Sequence, residues 1–158
     1  RNNYRPHLIE VLFVGESRPQ SGTFFYQGNS ILYRETEKAF NEYFGDNIFN
    51  LDSFKNWNYW LYDICESPVN GLPDKERNAE IMRNIPRLEK FIESVNPKYI
   101  VVCKKGMVTK AILDSKIMNK YHKGKTIFFL PFPSNGRQGE YRKGLINILK
   151  IIGLKKTE

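Results

Sequence analysis

The chain has 158 residues, with 25 Lys or Arg against 17 Asp or Glu, which gives a formal net charge of +8 at pH 7. That length suits one domain with a real hydrophobic core and is too short for two ordinary domains. No apolar run approaches the roughly 20 residues that span a bilayer, so we expect a soluble protein without a membrane partner. The positive charge favours an anionic partner, most often a nucleic acid, although lysines on a solvated face would give the same value.

Four short apolar runs are the predicted strands. They cover residues 9–14, 59–64, 99–103 and 126–130. The stretches 11–14 and 100–102 are continuously apolar rather than alternating. Such runs are typical of parallel strands that are covered by helices on both faces.

Helical patterns alternate with these strands. Apolar residues repeat at helical spacing over residues 32–44, where Gly45 ends the pattern, and again over residues 76–95. Pro86 falls inside the second pattern and predicts a kink or a break near Asn84, because proline removes one backbone hydrogen bond.

Two further helices complete the predicted order. A short helix follows Gly106, and the last helix begins at about residue 139. The alternation of strands and helices predicts an α/β fold. In detail, we expect a three-layer α/β/α sandwich with a central four-stranded, mainly parallel sheet, in a single domain over residues 1–158.

The two cysteines and two histidines give no sign of a metal centre. Cys65 and Cys103 lie far apart inside apolar runs, which indicates buried free thiols and suits a reducing cytoplasm. Together with His7 and His122 they show none of the spacings of zinc or iron–sulfur ligands. We expect a cytoplasmic protein that needs no cofactor and acts as a monomer.

Ligands of open parallel sheets bind at the carboxyl ends of the strands, so the loops that follow the strands are the candidate site. These loops combine glycine and proline with carboxylates, lysines and aromatic residues. They cover residues 15–26, 63–70, 104–106 and 131–137.

Five stretches of the chain carry motifs in a characteristic order. They are a strand and loop ending at a proline, an aromatic turn, a second strand with a polar end, a third strand after a proline, and a late Pro-Ser loop. The corresponding residues are 11–19, 22–30, 61–64, 97–103 with Gly106, and 130–134. In this order they resemble the motifs of the uracil-DNA glycosylase superfamily. The resemblance implies a fold of the uracil-DNA glycosylase type and a monofunctional DNA glycosylase that acts in base-excision repair. Such an enzyme hydrolyses the N-glycosidic bond of a flipped damaged or deaminated base in DNA, with water as the nucleophile.

Three departures from these motifs indicate a divergent member. Arg18 stands before Pro19, so the first loop is not the usual Gly-x-x-Pro-Gly. Leu130 or Pro131 stands where the late loop of the family has a histidine. The four-cysteine cluster of the thermophile branch is absent from the sequence.

The resemblance implies two catalytic carboxylates, Glu16 and Asp63. Near Glu16 the family holds the residue that activates or positions water, and a carboxylate there can stabilise an oxocarbenium-like transition state. Asp63 stands where the family commonly has an asparagine that reads the base edge. An ionised aspartate only accepts hydrogen bonds, so Asp63 either helps to activate water or favours a base that presents donors. The alternatives are a local cap or a salt bridge to Arg18 for Glu16, and a turn cap for Asp63.

The resemblance also implies the contacts to the substrate. Phe25 is the predicted aromatic that stacks the flipped base, Phe24 or Tyr26 could replace it, and Phe24 is expected in the core. The predicted substrate-binding residues are Gly15, Phe25, Tyr26, Ser134 and Asn135. The predicted contacts to the DNA backbone are Arg18, Lys104, Lys105 and Arg137. The alternatives are core packing for the aromatic residues, a helix cap for Ser134 and a solvated loop for the lysines.

Two other functions stay open beside the glycosylase. The first is a nucleic-acid-binding module of the same fold without glycosylase activity, which the missing histidine favours. The second is a small-molecule or nucleotide hydrolase on a similar sheet, against which the positive charge argues.

Overall fold

The structure, a computed structural model, describes residues 2–156 apart from the side chains of residues 2 and 107. Its four strands are all parallel and form one sheet in the order β2-β1-β3-β4. The strands are β1 (Val11–Gly15), β2 (Tyr59–Asp63), β3 (Tyr99–Val102) and β4 (Ile127–Phe129). The predicted four-stranded parallel sheet is therefore confirmed.

Six α-helices surround the sheet in the part of the chain described here. They are α1 (Ile31–Phe44), α2 (Leu51–Asn56), α3 (Asp74–Val95), α4 (Met107–Leu113), α5 (Lys116–Lys123) and α6 (Gln138–Ile152). Helix α1 packs against α6, and α3 packs against α4 and α5. The connection from β1 to β2 leads to one edge of the sheet, whereas the connections from β2 to β3 and from β3 to β4 lead towards the opposite edge. Right-handed crossovers then place the two helix groups on opposite faces, as a three-layer sandwich requires.

The central strand β1 is buried along its whole length, from Val11 to Gly15. It pairs with β2 on one side and β3 on the other, and the last pair of the β1–β2 register is Gly15 with Asp63. Beside β1, Phe13 packs against an aromatic cluster whose members are all buried. The cluster consists of Phe40, Phe49, Phe54, Trp57 and Tyr59.

Helix α3 is not broken at Pro86, so of the predicted kink or break near Asn84 the break is wrong. The helix runs continuously from Asp74 to Val95 with the proline inside it. Its buried face, which includes Ile81 and Leu88, continues on both sides of Pro86. Packing of this face outweighs the cost of about 3 kcal/mol that a proline imposes on a helix interior.

Helices α2 and α5 were not predicted from the sequence, because they are short and mostly polar. Helix α2 begins after Asn50, whose side chain accepts a hydrogen bond from the backbone N–H of Ser53. Helix α5 begins after Ser115, whose hydroxyl accepts from the N–H of Met118. In both cases the cap, rather than an apolar stripe, marks the start of the helix. No helix among residues 2–156 combines the length and the apolar character that a bilayer crossing demands.

Tyr26 covers the edge of the sheet at β2. Its hydroxyl accepts a hydrogen bond from the Leu61 N–H at 2.7 Å and donates to the Leu61 carbonyl at 3.3 Å. Its ring stacks on Trp60 with the centroids 4.7 Å apart. An edge strand exposes unpaired backbone groups, and here one tyrosine hydroxyl satisfies two of them.

We expect Tyr26→Phe to lower the free energy of unfolding by about 1–3 kcal/mol, because the buried N–H of Leu61 loses its acceptor. Urea unfolding measures the change. Tyr33→Phe is the matched control, since within the described residues the Tyr33 hydroxyl makes no hydrogen bond, and it should stay within about 0.5 kcal/mol of the wild type. Equal losses in the two variants would contradict the role given to Tyr26.

Candidate functional site

A cleft of about 510 Å³ opens at the carboxyl ends of the strands. The chain leaves β1 for β2 on one side and later returns to β3 on the other side, so the strand order reverses between β1 and β3. Parallel sheets bind ligands at such a point, and the volume is within the range of ligand pockets. The cleft brings together the predicted residues Gly15, Glu16, Asp63, Lys104, Ser134 and Asn135.

Gly15 and Asp63 meet at the floor of the cleft. They are paired residues at the ends of β1 and β2, and a Cβ atom on Gly15 would overlap Oδ1 of Asp63. Glycine at position 15 therefore leaves the space that the Asp63 carboxyl group occupies. Arg87 fixes the end of β2 by donating to the carbonyls of Asp63 at 2.6 Å and Ile64 at 2.8 Å.

Glu16 forms a bidentate ion pair with Arg77 of α3. The Nε of Arg77 donates to Oε2 of Glu16 at 2.8 Å, and Nη2 donates to Oε1. The Glu16 side chain is only 8% exposed and that of Arg77 is 16% exposed. The hydrogen bonds to Glu16 raise the pKa of the Arg77 guanidinium, against the opposing effect of its burial. The pair thus holds the loop after β1 against α3.

The partner of Glu16 is therefore Arg77, and the alternative of a salt bridge to Arg18 is wrong. Arg18 instead places its guanidinium 3.9 Å from the ring centroid of Phe24. A planar guanidinium stacks well on an aromatic face, and this contact holds Arg18 at the edge of the first loop. Phe24 itself is buried, as the sequence predicted.

A narrow recess of about 30 Å³ adjoins the cleft. Phe25, Leu61 and Arg18 line only the recess, whereas Asp63 and Phe132 line both spaces. Phe25 is 3% exposed and packs against Tyr33 and Phe54. The walls of the recess are mostly aromatic and aliphatic, and its charged side chains are Asp63 and Arg18.

Three predicted contact residues do not line the cleft or the recess. Tyr26 lies behind them, with its hydroxyl on the edge of β2. Lys105 is exposed, and its backbone N–H donates to Leu130. Arg137 is exposed and pairs with Glu140 at 3.0 Å. The sequence could assign these residues to loops but not to the faces of those loops.

Lys104 is the lysine that lines the cleft. It is half-buried beside Phe132, with its Nζ 5.3 Å from the ring centroid. Burial lowers the pKa of the Lys104 ammonium; Glu16 opposes this shift and Arg77 adds to it. The cleft thus holds a lysine whose neutral form is easier to reach than that of an exposed lysine.

The late loop supplies a polar rim. Ser134 and Asn135 line the cleft, and the turn continues through Gly136. Asn135 and Gly136 both have positive φ, at 53° and 83°. Two successive left-handed residues favour this Asn-Gly pair, because asparagine and glycine tolerate that conformation best.

Several lining residues were missed by the sequence analysis. Asn29 and Asn70 hold the first loop: Asn29 accepts from the Phe24 N–H at 2.8 Å, and Asn70 accepts from the Gln20 N–H at 3.0 Å. Arg77 lies in a helix whose first half is mostly charged, so the sequence does not distinguish it from solvated neighbours. Phe132 lies in the late loop, where the prediction rested on the serine and the asparagine and gave no role to the phenylalanine.

Neither cysteine of the chain is a nucleophile in this site. Burial raises the pKa of Cys65 to about 11 and that of Cys103 to about 12, so both are protonated thiols at neutral pH. The described residues contain no group of three His, Cys, Asp or Glu side chains placed to hold a metal ion. Comparison of the chain with protein-family models and with curated proteins finds no match.

Replacing Arg77 by methionine should cost about 3 kcal/mol of folding free energy, because it leaves the Glu16 carboxylate buried without its partner. Chemical denaturation measures the loss. The control is Arg83→Met on the same helix, which removes an exposed pair with Glu80 and should cost about 0.5 kcal/mol or less. A stability of Arg77→Met equal to that of the control would contradict the importance of the buried pair.

Proposed function

We propose that this chain is a DNA glycosylase that hydrolyses the N-glycosidic bond of a damaged or deaminated base flipped out of DNA. One observation carries the proposal: Asp63 lines both the cleft and the aromatic recess beside it. A flipped nucleotide in the 510 Å³ cleft, with its base against the mouth of the recess, would have the Asp63 carboxylate beside both its base and its sugar. That is the arrangement that cleavage of the bond between base and sugar requires.

The aromatic residue available to a flipped base is Phe132, which lines both the cleft and the recess. The recess itself, at about 30 Å³, has room for about one water molecule, so the base would lie in the cleft. Extrusion of a base from the duplex costs a few kcal/mol, which stacking on aromatic side chains offsets. Phe25 is 3% exposed and packs against Tyr33 and Phe54, so it forms a rigid wall of the recess.

Asp63 and Glu16 have different roles in the proposed reaction. Both oxygens of Glu16 accept hydrogen bonds from Arg77, so Glu16 does not act as a proton acceptor. Its role in the proposal is to hold the loop after β1 and to contribute negative charge to the site. Asp63 is the carboxylate that positions or deprotonates the attacking water. Its negative charge also stabilises the positive charge that develops on the sugar in the transition state.

Cations at the cleft suit a DNA backbone. Arg34 and Lys104 line it, and the whole chain carries a formal net charge of +8. Phosphate contacts supply most of the affinity for DNA and weaken as salt is added. The DNA partner of the proposal is thus consistent with the charge of the chain.

One observation favours a second function, that of a DNA-binding module without glycosylase activity. The late loop presents Phe132 to the cleft, and neither of the chain's histidines lines it: His7 and His122 are exposed elsewhere. A site that lacks an imidazole loses one means of stabilising the departing base. A binding module would keep the cleft, the recess and the cations.

We expect the wild type to release a base and leave an abasic site in at least one duplex of a panel with uracil, hypoxanthine, xanthine and mismatches. Asp63→Asn should lower single-turnover excision about 100-fold or more if the carboxylate acts on water. If Asp63 instead reads the base, the preference should shift towards uracil, because asparagine can donate to O4. The readout is strand scission after alkaline treatment.

The matched control is Asp52→Asn, an exposed aspartate on α2, which should leave excision unchanged. Glu16→Gln is measured beside them. Wild-type rates for both Glu16→Gln and Asp63→Asn on every active substrate would refute the roles given to the two carboxylates, and no abasic product from the wild type on any duplex would refute the glycosylase assignment. Tight binding of the panel without any abasic product would favour the binding module.

A further inference from the structure

Beyond a contact to the DNA backbone, Lys104 has no evident task in the hydrolysis of a base, yet it lines the cleft where the sugar would lie. It follows β3 directly and is held next to β1 at the point where the strand order reverses. Its Nζ makes no hydrogen bond or ion pair with any other described residue. A half-buried lysine without an acidic partner differs from the salt-bridged lysines elsewhere on this chain, such as Lys110 with Asp114.

Half-buried in the cleft and without an acidic partner, Lys104 reaches its neutral amine more easily than an exposed lysine does, because burial lowers its pKa. The ring of Phe132, with its centroid 5.3 Å from Nζ, works in the opposite direction, since an aromatic face attracts the ammonium. Glu16, whose charge also favours the ammonium, gives both of its oxygens to Arg77. Desolvation and a neighbouring cation are the two means by which proteins turn lysine into a nucleophile for carbonyl groups.

We propose that Lys104 forms an imine with the abasic sugar, so that the chain carries an abasic-site lyase activity in addition to base excision. This inference rests on the proposed function, because it takes the product of excision as its substrate. An abasic sugar exists partly as a ring-opened aldehyde at C1′, which is the carbonyl that a neutral amine attacks.

The chemistry needs no further reagent. The Lys104 amine attacks C1′, one proton is taken up from solvent, and loss of water gives a protonated imine. The imine withdraws electrons from C2′, whose proton passes to the Asp63 carboxylate. The electron pair of that C–H bond forms a C2′–C3′ double bond, and the C3′–O bond breaks with the phosphate leaving. Hydrolysis of the imine then restores the amine.

The test uses duplex DNA in which the abasic site is made beforehand, so it does not depend on base excision by this chain. The full-length protein is mixed with the labelled duplex and sodium borohydride, which reduces an imine to a stable secondary amine. We expect a covalent complex on a denaturing gel, and mass spectrometry of its peptides should place the adduct on Lys104. A duplex with a tetrahydrofuran analogue, which has no aldehyde, should give no complex.

Lys104→Arg keeps the positive charge but removes the nucleophile, so the covalent complex should fall to background. Lys110→Arg is the matched control on an exposed lysine and should trap like the wild type. Thermal unfolding and binding of the tetrahydrofuran duplex verify that both variants are folded. An adduct that maps to another lysine, or no trapping by the wild type, overturns the proposal and leaves base excision untouched. Trapping on Lys104 without any base excision would instead leave the lyase and remove the glycosylase.

Discussion

The buried ion pair between Glu16 and Arg77 is the constraint on which the cleft depends. It joins the loop after the central strand to the longest helix, and it does so with two hydrogen bonds in a fixed plane. A bidentate guanidinium–carboxylate contact sets orientation as well as distance. With Glu16 held, the chain that follows can pass over the end of β2 and bring Phe25 to the recess. The pair also neutralises one carboxylate and one guanidinium within the cleft.

The net charge of the cleft therefore depends on the few charged side chains outside this ion pair. Once Glu16 and Arg77 compensate each other, the other charged side chains that line the cleft are Arg34, Asp63 and Lys104. Asp63 and Lys104 come from the ends of different strands, so the sheet itself sets their separation. In the proposed reaction, this arrangement would place a negative group near the developing positive sugar and cations near phosphate.

The sequence was sufficient for the layers of the fold, because strand burial and helix periodicity repeat over many residues. The position of Gly15, Glu16, Asp63 and Lys104 at the cleft could also be predicted, because these residues directly follow or end predicted strands. The sequence did not indicate Arg77, because that residue reaches the cleft from a distant helix and no local pattern records the contact. The sequence also could not show which way a loop residue points. Phe25 and Tyr26 are adjacent, yet Tyr26 covers the sheet edge and Phe25 lines the recess.

The different positions of these two neighbouring aromatic residues have a consequence for self-association of the protein. The 3₁₀ turn that carries Phe25 to the recess also carries the hydroxyl that masks the backbone of β2. An edge strand with unpaired backbone groups can pair with another chain, so the turn that shapes the recess also protects β2 from self-association.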